Sequence, residues 1–425
     1  MKLVSGEHCC LRKGHRYFGL KILAITIPNY NRKIELKRLI LEIITQIKEG
    51  HLEEYIQICI CDDASPEDPT EIVELFIKEN PCIDIKYNRK TKNQGMDFNF
   101  RDSVLMADSK YCWIIGNDDI PEQEAVKNIV KFLLNKQDLD FLVTPFDIYD
   151  SCIVYRDTIN PLSSLEEKKF DTNIRYELNN LLLSIQHNSA IFGFLSNVVF
   201  RKCIWEEYCD TFMDKMNSIF IQMYINIYKL NKGAIYYYSP IKIIKNIADD
   251  ITNNSSERIA KILVGLDEVV EFFFSGWEKQ HLKKVLTDAY INGMTWELLA
   301  NHPLKEKCEK IDSRKNNLYR QYYIKEDIRN EFFYKKPVII YGAGDYGYNS
   351  FIKLKKAKAD IRGIADSNPG KVGRYFENYV IMNIEEMIFQ YHNSKCVIVV
   401  ACHYGLVDMF DVLINNNINN IAIIS

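Results

Sequence analysis

The sequence predicts an α/β protein with two sheet-containing regions joined by a helical stretch. Apolar runs typical of buried strands alternate with amphipathic helical patterns over residues 21–150, and the same alternation starts again at residue 335. Between these regions, residues 251–334 carry helical patterns, mixed charge and few glycines or prolines. Strand–helix–strand repeats of this length are typical of parallel sheets with right-handed crossovers.

The first region is expected over residues 21–250, after an N-terminal extension at residues 1–20. Each predicted strand is an apolar run, and each predicted helix has apolar residues at helical spacing. In chain order these elements are the strand KILAITIP, the helix RKIELKRLILEIITQIKEG, the strand YIQICICDDAS, the helix PEDPTEIVELFIKEN, the strand IDIKYNR, the helix MDFNFRDSVLMAD and the strand KYCWIIGNDD. Less regular sequence follows, with a helix around SIFIQMYINIYKLNKG and the strand AIYYYSP.

The rest of the chain is expected to form a helical connector over residues 251–334 and a small parallel-sheet domain over residues 335–425. SSERIAKILVGLDEVVEFFF has the apolar spacing of a helix and opens the connector. The last region gives the strands KPVIIYGAG, DIRGIAD, YVIM, KCVIVVAC and NIAIIS, with helices between most of them.

Composition narrows the class of protein. The 425 residues include 54 basic and 57 acidic ones, for a formal charge of −3. This balance does not indicate nucleic-acid binding, although local basic patches leave contact with a membrane surface open. No apolar run reaches the roughly 18 residues of a membrane helix, and the N-terminus lacks the apolar core of a signal peptide. Twelve scattered cysteines fit a reducing compartment, so we expect a cytoplasmic protein.

One cluster of possible metal ligands lies in the N-terminal extension, at His8, Cys9, Cys10 and His15. Adjacent cysteines are awkward for closing a tetrahedral site, and no second cysteine pair follows at finger-like spacing. The pattern favours an N-terminal extension over a metal site.

Polar residues end three predicted strands of the first region. They are Pro28–Asn31, Asp62–Ser65 and Asn117–Asp119. Because the tips of parallel strands meet at one edge of a sheet, these segments can line one cleft. A nucleoside diphosphate fits such a set, with an aromatic ring for the base, an acid for a base N–H and an acid for Mg²⁺ or Mn²⁺. Taken singly, Asp62 and Asp118 are better explained as turn formers or helix N-caps, whereas the whole set favours the site.

The same residues resemble a known family. ITIPNYNR, CICDDAS and NQGMDFNFRDSVLMADSKYCWIIGNDD are similar, in order and spacing, to motifs of the family-2 glycosyltransferases, which have a nucleotide-sugar-binding fold of the GT-A type. A weaker similarity continues through FGFLSNVVFRK and NKGAIYYYSP, so that the resemblance covers residues 21–250.

The resemblance implies a role for each matching residue. Pro28 and Tyr30 would frame the nucleobase, Asp63 would accept from its N3–H, Asp118 would lie near the ribose and phosphates, and Asp119 would ligate Mn²⁺ or Mg²⁺. Asn93 and Gly95 would complete the donor site. The implied reaction moves a sugar, with inversion, from a nucleoside diphosphate donor such as a UDP-sugar to an acceptor hydroxyl. The expected acceptor is a glycan or lipid-linked oligosaccharide of a bacterial surface polysaccharide, such as a capsule.

The expected catalytic base departs from the family pattern. Inverting members use a carboxylate from an acidic pair that opens a helix, but the matching positions here are Asn217 and Ser218, which cannot act as bases at neutral pH. Asp214, one helical turn earlier, is the substitute that we predict, with Asp210 and His187 as alternatives. A solvated acid that favours a helix N-terminus explains Asp214 equally well.

A glycine-rich turn opens the last region. Gly342, Gly344 and Gly347 lie between a predicted strand and helix, and Asp366 ends the next strand. This context is typical of nucleotide binding at a helix N-terminus. Together with IADSNPGKVG, the region resembles the UDP-sugar-binding domain of bacterial amino-sugar acyltransferases. The alternative is a module that only packs or forms an oligomer.

Two other functions remain open. A nucleotidyltransferase also uses an aspartate-bound metal, but it should show a glycine-rich basic signature after the first strand, which PNYNRK does not. A non-catalytic nucleotide-sugar sensor would explain the missing acidic pair.

Overall fold

The chain divides into two compact units. A computed structural model describes residues 20–247, 256–293, 303–311, 318, 321–401 and 406–424. The first unit comprises Met1–Ser255 and Gly265–Leu286, and the second comprises Ser256–Val264 and Thr287–Ser425. The predicted connector is therefore shared between the units, whereas the predicted domain boundaries remain predictions. The cluster from His8 to His15 lies outside the described residues.

The first unit is built from twelve strands and from helices that cover them, counted within the described residues. The strands are β1 (Lys21–Asn29), β2 (Ile56–Asp62), β3 (Asp84–Arg89), β4 (Ser109–Ile114), β5 (Ile120–Pro121), β6 (Phe141–Val143), β7 (Phe146–Tyr149), β8 (Tyr155–Ile159), β9 (Lys168–Asp171), β10 (Val198–Arg201), β11 (Ile235–Tyr238) and β12 (Ile244–Ile247). The helices are α1 (Lys33–Gly50), α2 (Thr70–Glu79), α3 (Met96–Leu105), α4 (Ala125–Asn135), α5 (Arg175–Ser184), α6 (Cys203–Tyr208) and α7 (Ile221–Lys232), with 3₁₀ turns at Asn188–Ile191 and Cys209–Lys215.

These strands form two sheets. The larger has the order β3-β2-β1-β4-β10-β6-β11-β9, and the smaller has the order β5-β12-β7-β8. From β3 to β4 the pairing is parallel, whereas β10 runs antiparallel to both of its neighbours. The predicted α/β fold is confirmed, and the parallel half of the large sheet brings the ends of β1, β2 and β4 to one edge.

Burial explains why these segments become strands and helices. All seven residues of β2 are buried, as expected for a strand covered on both faces. Along α1, apolar residues at helical spacing are buried in the core, namely Leu36, Leu39, Ile40, Ile43 and Ile47. Cys59 and Cys61 of β2 are free and buried, where thiols behave as small apolar side chains.

Two long helices contribute residues to both units, α8 (Ser256–Phe273) and α9 (Gly276–Gly293). The second unit adds α10 (Lys305–Ile311), α11 (Glu326–Phe333), α12 (Asp345–Lys356), α13 (Ile384–Ser394) and α14 (Leu406–Asn415). No helix within the described ranges combines the length and the apolarity needed to cross a membrane.

The second unit contains a six-stranded sheet. Its strands are β13 (Pro337–Tyr341), β14 (Asp360–Ala365), β15 (Tyr375–Phe376), β16 (Tyr379–Met382), β17 (Val397–Val400) and β18 (Ile421–Ile423), in the order β15-β16-β14-β13-β17-β18. The five predicted strands are all present and pair in parallel, and the sequence prediction missed β15, a two-residue strand antiparallel to β16. Apolar clusters cover both faces of this sheet.

Candidate active site

The three polar strand tips of the first unit are linked by hydrogen bonds. Asn29, at the end of β1, lies opposite Asp62 of β2. The Nδ2 of Asn29 donates to Asp62 Oδ1 over 2.6 Å, and the Nδ2 of Asn117, beyond β4, donates to Asn29 Oδ1 over 2.6 Å. All three side chains are buried. The structure thus brings the three tips together through one continuous set of polar contacts.

Asp62 has a structural role in this edge. It is fully buried, its Oδ2 accepts from Ser65 N over 3.0 Å, and Arg89 Nε lies 3.3 Å from the same oxygen. Ser65 Oγ in turn accepts from Asn31 N over 2.8 Å. Asp62 therefore shapes the turn after β2 and ties it to the turn after β1.

Asp63 holds the loop that contains Asn93 and Gly95. It is 2% exposed, and its carboxylate accepts from the backbone N–H of Gln94, over 3.0 and 3.1 Å, and of Gly95, over 2.9 Å. Lys90 Nζ lies 3.3 Å from the same carboxylate. Asn93 Oδ1 also accepts from Gly95 N, and a φ of 95° favours glycine there. Asp63 is thus already engaged with the backbone of this loop.

Tyr30 presents an aromatic ring beside this edge. Its side chain is 45% exposed, and the residue follows directly after the buried tip of β1. Pro28, opposite Cys61, is half-buried in the same strand. An exposed ring at the end of a rigid strand is suited to stacking on a planar ligand.

The two aspartates after β4 have different environments. Asp118 is 39% exposed and pairs with Arg32 Nη1 over 2.5 Å, while its carbonyl oxygen accepts from Arg38 Nη2 over 3.0 Å. Asp119 is 2% exposed and accepts from Asn246 Nδ2 over 2.8 Å. Asp119 is buried because β5 starts one residue later and pairs with β12, which carries Asn246.

Burial and the nearby charge of Asp118 raise the pKa of Asp119 to about 7. Its partners are neutral donors, Asn246 and Ser196, and no lysine or arginine in the described part of the chain pairs with it. A Cβ placed on Gly116 would lie 2.8 Å from Asp118 Oδ1 and 3.1 Å from Asp119 Oδ2. The two carboxylates thus converge on one place, where a positive charge would offset their repulsion.

These aspartates fit a divalent cation that is shared with a ligand. Mg²⁺ and Mn²⁺ bind oxygen and are commonly held by one or two carboxylates, with ligand phosphates and water as the other ligands. Over the described ranges no group of three or more His, Cys, Asp or Glu side chains is arranged to hold a metal ion. Asp119, with Asp118 beside it, would therefore hold such a cation only together with the phosphates of a ligand.

The predicted bases lie in different settings. Asp214, in the turn Cys209–Lys215, is 68% exposed and pairs with Lys215 over 2.9 Å. Asp210 is in the same turn and is also exposed. His187 is largely buried, which lowers its pKa to about 4, and its Nδ1 accepts from Ser189 N over 3.2 Å. His187 is therefore neutral at pH 7, whereas Asp214 is a solvated acid.

Asp97 is a buried acid that the sequence analysis missed. It lies in the first turn of α3 and is 1% exposed, and its Oδ2 accepts from Ile219 N over 3.1 Å. Its Oδ1 has no hydrogen-bond partner among the described residues. Burial raises its pKa to about 6, although backbone N–H groups of residues 217–219 act in the opposite direction. Asp97 therefore points at the loop in which the resemblance predicts an acidic pair.

In the second unit, the three glycines after β13 differ in their surroundings. A Cβ on Gly342 would lie 2.1 Å from Ala401 O, and one on Gly347 would lie 2.0 Å from Gly342 O. Gly342 also has a φ of 117°. A Cβ on Gly344 would meet only Lys371 Nζ, at 3.7 Å. Gly342 and Gly347 are therefore needed for packing, and Gly344 leaves space above the start of α12.

Asp366, at the end of β14, organises this turn. Its Oδ2 accepts from Ala343 N over 2.7 Å and lies 3.1 Å from Lys371 Nζ, and its Oδ1 accepts from Asn368 N over 2.8 Å. Burial alone would raise the pKa of Asp366, but these donors outweigh it and the pKa is lowered. The predicted residues of this turn are thus brought together, with a lysine that the sequence analysis did not single out.

Part of the first unit is similar to known proteins. Residues 24–200 match the family Glycosyl transferase family 2. The matched residues include all three strand tips. The match ends before Asp214, and the resemblance of residues 335–425 to an acyltransferase domain remains a prediction.

Two curated relatives agree with this family. The chain is 30% identical over 189 residues to the abequosyltransferase RfbV of Salmonella typhimurium, which covers 44% of this chain and 54% of the relative. It is 23% identical over 103 residues to the dolichyl-phosphate beta-glucosyltransferase of Dictyostelium discoideum, covering 24% and 32%. The matched part thus spans about half or less of each relative.

Two solved structures are among those that this chain resembles. S. aureus TarS 1–349 in complex with UDP has a TM-score of 0.46 and 13% identity, covering 73% of this chain and 78% of that one. The mannosyltransferase PcManGT from Pyrobaculum calidifontis, in complex with GDP-Man and Mn²⁺, has a TM-score of 0.43 and 13% identity, covering 68% and 74%.

Proposed function

We propose that this chain is a glycosyltransferase that moves a sugar from a nucleoside diphosphate donor, expected to be a UDP-sugar, to an acceptor hydroxyl in bacterial surface-glycan biosynthesis. The observation that carries the proposal is the convergence of Asp118 and buried Asp119 at the edge where Asn29, Asp62 and Asn117 join three strand tips. The family match over residues 24–200 and the abequosyltransferase relative support this class of reaction.

The donor site follows from the same edge. The exposed ring of Tyr30 would stack on the base, and the loop held by Asp63 would close one side of it. Arg32 and Arg38, which contact Asp118, carry positive charge beside the expected position of the diphosphate. Asn93 and Gly95 would line the ribose side through the loop backbone.

Asp119, with Asp118, would hold Mn²⁺ or Mg²⁺ together with the donor. When bound, such a cation stabilises the charge that develops on the leaving diphosphate. The buried Asp119 carboxylate is fixed by Asn246 and Ser196, so its orientation does not depend on the ligand. Arg32, which pairs with Asp118, would donate to the phosphates, and Asp118 would lie beside the ribose and phosphates.

For the acceptor, we propose a single displacement with inversion. A carboxylate would take the proton of the attacking hydroxyl, and Asp214 is our candidate because it is an exposed acid close to the helix where the family places its base. Asp210 and His187 are the alternatives. If none of these residues acts as a base, the chain is a non-catalytic nucleotide-sugar sensor. Asn217 and Ser218, at the positions of the family's acidic pair, favour this alternative.

For the second unit, we propose that the turn at Gly342, Gly344 and Gly347 binds a second nucleotide. The open side of Gly344 and the nearby ammonium of Lys371 support this proposal, because both suit a phosphate at the start of α12. Asp366 positions the turn.

The test is hydrolysis or transfer of a UDP-sugar with and without Mn²⁺. We expect Asp119→Asn to lower the metal-dependent rate about 100-fold or more, because the carboxylate that holds the cation is lost. The fold should be retained, since the substitution removes a buried charge and keeps an oxygen for Asn246.

Asp108→Asn is the matched control, because Asp108 precedes the same strand at its other end and pairs with Lys86 at the surface. Its rate should equal that of the parent. An Asp119→Asn protein with full metal-dependent activity would contradict the proposed metal site, and a parent that binds UDP-sugar but never cleaves it would favour the sensor.

A further inference from the structure

The turn between β7 and β8 exposes consecutive apolar side chains. Ile153 is 56% exposed, Val154 is 53% exposed and Tyr155 is 52% exposed. Cys152, which precedes them, is also exposed. Isolated apolar residues are normal on protein surfaces, but a contiguous group at the end of a hairpin usually marks a contact site. Residues 152–155 are called the hairpin tip below.

The hairpin tip is a well-ordered turn. Asp150 Oδ1 accepts from Cys152 N and from Val154 N, each over 2.9 Å, and Asp150 also pairs with Arg156. Backbone bonds join Asp150 N to Val154 O over 3.0 Å and Ile153 N to Asp150 O over 2.9 Å. The apolar side chains are therefore exposed on a hydrogen-bonded turn.

Isoleucine is an unfavourable residue for the backbone conformation at position 153. Its φ is 60°, in the left-handed region that β-branched residues rarely adopt. Glycine or asparagine would suit this backbone better and would also be more soluble at an exposed site. Since neither folding nor solubility favours isoleucine here, strain retained at an exposed apolar residue points to a contact outside the chain.

The form of the hairpin tip indicates the kind of partner. These three apolar side chains lie at the end of the hairpin and are each more than half exposed, so they suit a medium that surrounds the tip. The exposed area of these side chains is on the order of 300 Å², well below the ~800 Å² per partner of a stable protein interface. We propose that the hairpin tip inserts into the surface of a lipid bilayer, with Arg156 at the level of the headgroups.

The smaller sheet connects the hairpin tip with the candidate active site. β7 pairs with β12, and Asn246 of β12 donates to Asp119. A bilayer bound at the tip would therefore contact the same small sheet that holds Asp119, which suits a lipid-linked acceptor. This link to the acceptor rests on the proposed function, whereas binding to a bilayer does not.

The experiment is sedimentation of the full chain with vesicles of phosphatidylcholine and phosphatidylglycerol, without donor or metal. Ile153→Asn should lower the vesicle partition coefficient about tenfold, because one aliphatic side chain no longer leaves water. The same variant should be as heat-stable as the parent or more so, because asparagine relieves the backbone strain. If Ile153 only stabilised the hairpin, the substitution would lower vesicle binding and heat stability together.

Leu183→Asn is the matched control, since Leu183 is 58% exposed on α5 and lies outside the hairpin. Its vesicle binding should equal that of the parent. A parent that does not bind vesicles, or an Ile153→Asn variant that binds as the parent does, overturns the proposal, as does a parent dimer that Ile153→Asn dissociates. Donor hydrolysis measured on the same proteins without vesicles tests the proposed function separately.

Discussion

At Asp97 the protein keeps a carboxyl group out of water beside the loop of residues 217–219. Asn217 and Ile219 have φ values of 73° and 65°, so the loop contains two residues in the left-handed region. The N–H of Ile219 points at the Asp97 carboxylate. The loop therefore contacts the carboxyl group, and its backbone N–H groups offset part of the cost of burying a charge.

The raised pKa of Asp97 predicts how the stability of the protein depends on pH. Because the pKa is about 6 in the folded state and near 3.8 in the unfolded chain, the folded state binds the proton more tightly. The stabilisation is complete below the unfolded pKa and is lost as pH rises through 6. Asp97→Asn should therefore be more stable than the parent at pH 8, on the order of 1–2 kcal/mol, with little difference at pH 4.

Urea unfolding of both proteins at pH 4, 6 and 8 measures this difference. An Asp97→Asn protein that is less stable than the parent at pH 8 would show that the loop N–H groups stabilise the ionised carboxylate more than burial disfavours it.

The sequence pattern was sufficient to predict the arrangement of elements where elements that are adjacent in the sequence are also adjacent in the fold. The tips of β1, β2 and β4 follow from apolar strands separated by amphipathic helices, so their common edge was predictable. The burial of Asp119 was not, because β12 lies more than 120 residues after it and pairs with the two-residue strand β5. Likewise, Asp97 meets residues 217–219 only in three dimensions, and nothing in NQGMD alone indicates that contact.

The glycine turn of the second unit gives a prediction at the scale of one element. Gly347→Val should destabilise the unit by about 3 kcal/mol or more, because a Cβ there would lie 2.0 Å from the Gly342 carbonyl oxygen. Gly344→Val should leave the melting temperature nearly unchanged, since only Lys371 Nζ lies near the added carbon. If the turn binds a phosphate, Gly344→Val should weaken nucleotide binding about tenfold or more.

Calorimetric unfolding and nucleotide titration of the two valine variants measure both effects. Nucleotide binding by Gly344→Val at the parent's affinity would contradict a phosphate site at this turn. Equal stability of the two variants would show that the backbone of α12 can move away from β13.

For the whole molecule, the two units raise the question of where a separable second domain begins. Tyr323 bridges to Ile423 of β18, and Ile324 N donates to Ile423 O over 2.9 Å. Phe333, at the end of α11, is fully buried in the cluster on one face of the sheet. A fragment of residues 335–425 would lack all three residues, although the strand pattern of the sequence places the domain boundary at residue 335.

We therefore predict that a fragment of residues 321–425 folds cooperatively and that a fragment of residues 335–425 is much less stable. Burial of the Phe333 ring alone contributes about 2 kcal/mol, and the shorter fragment also leaves β18 without its partner at Ile324. For a domain of this size, that loss lowers the melting temperature by roughly 10 °C or more. Thermal unfolding followed by circular dichroism compares the fragments, with Phe333→Ala in the longer fragment as the control. If the shorter fragment melts as high as the longer one, residues 321–334 add nothing to the stability of the sheet domain, and its boundary lies at residue 335 as the sequence predicts.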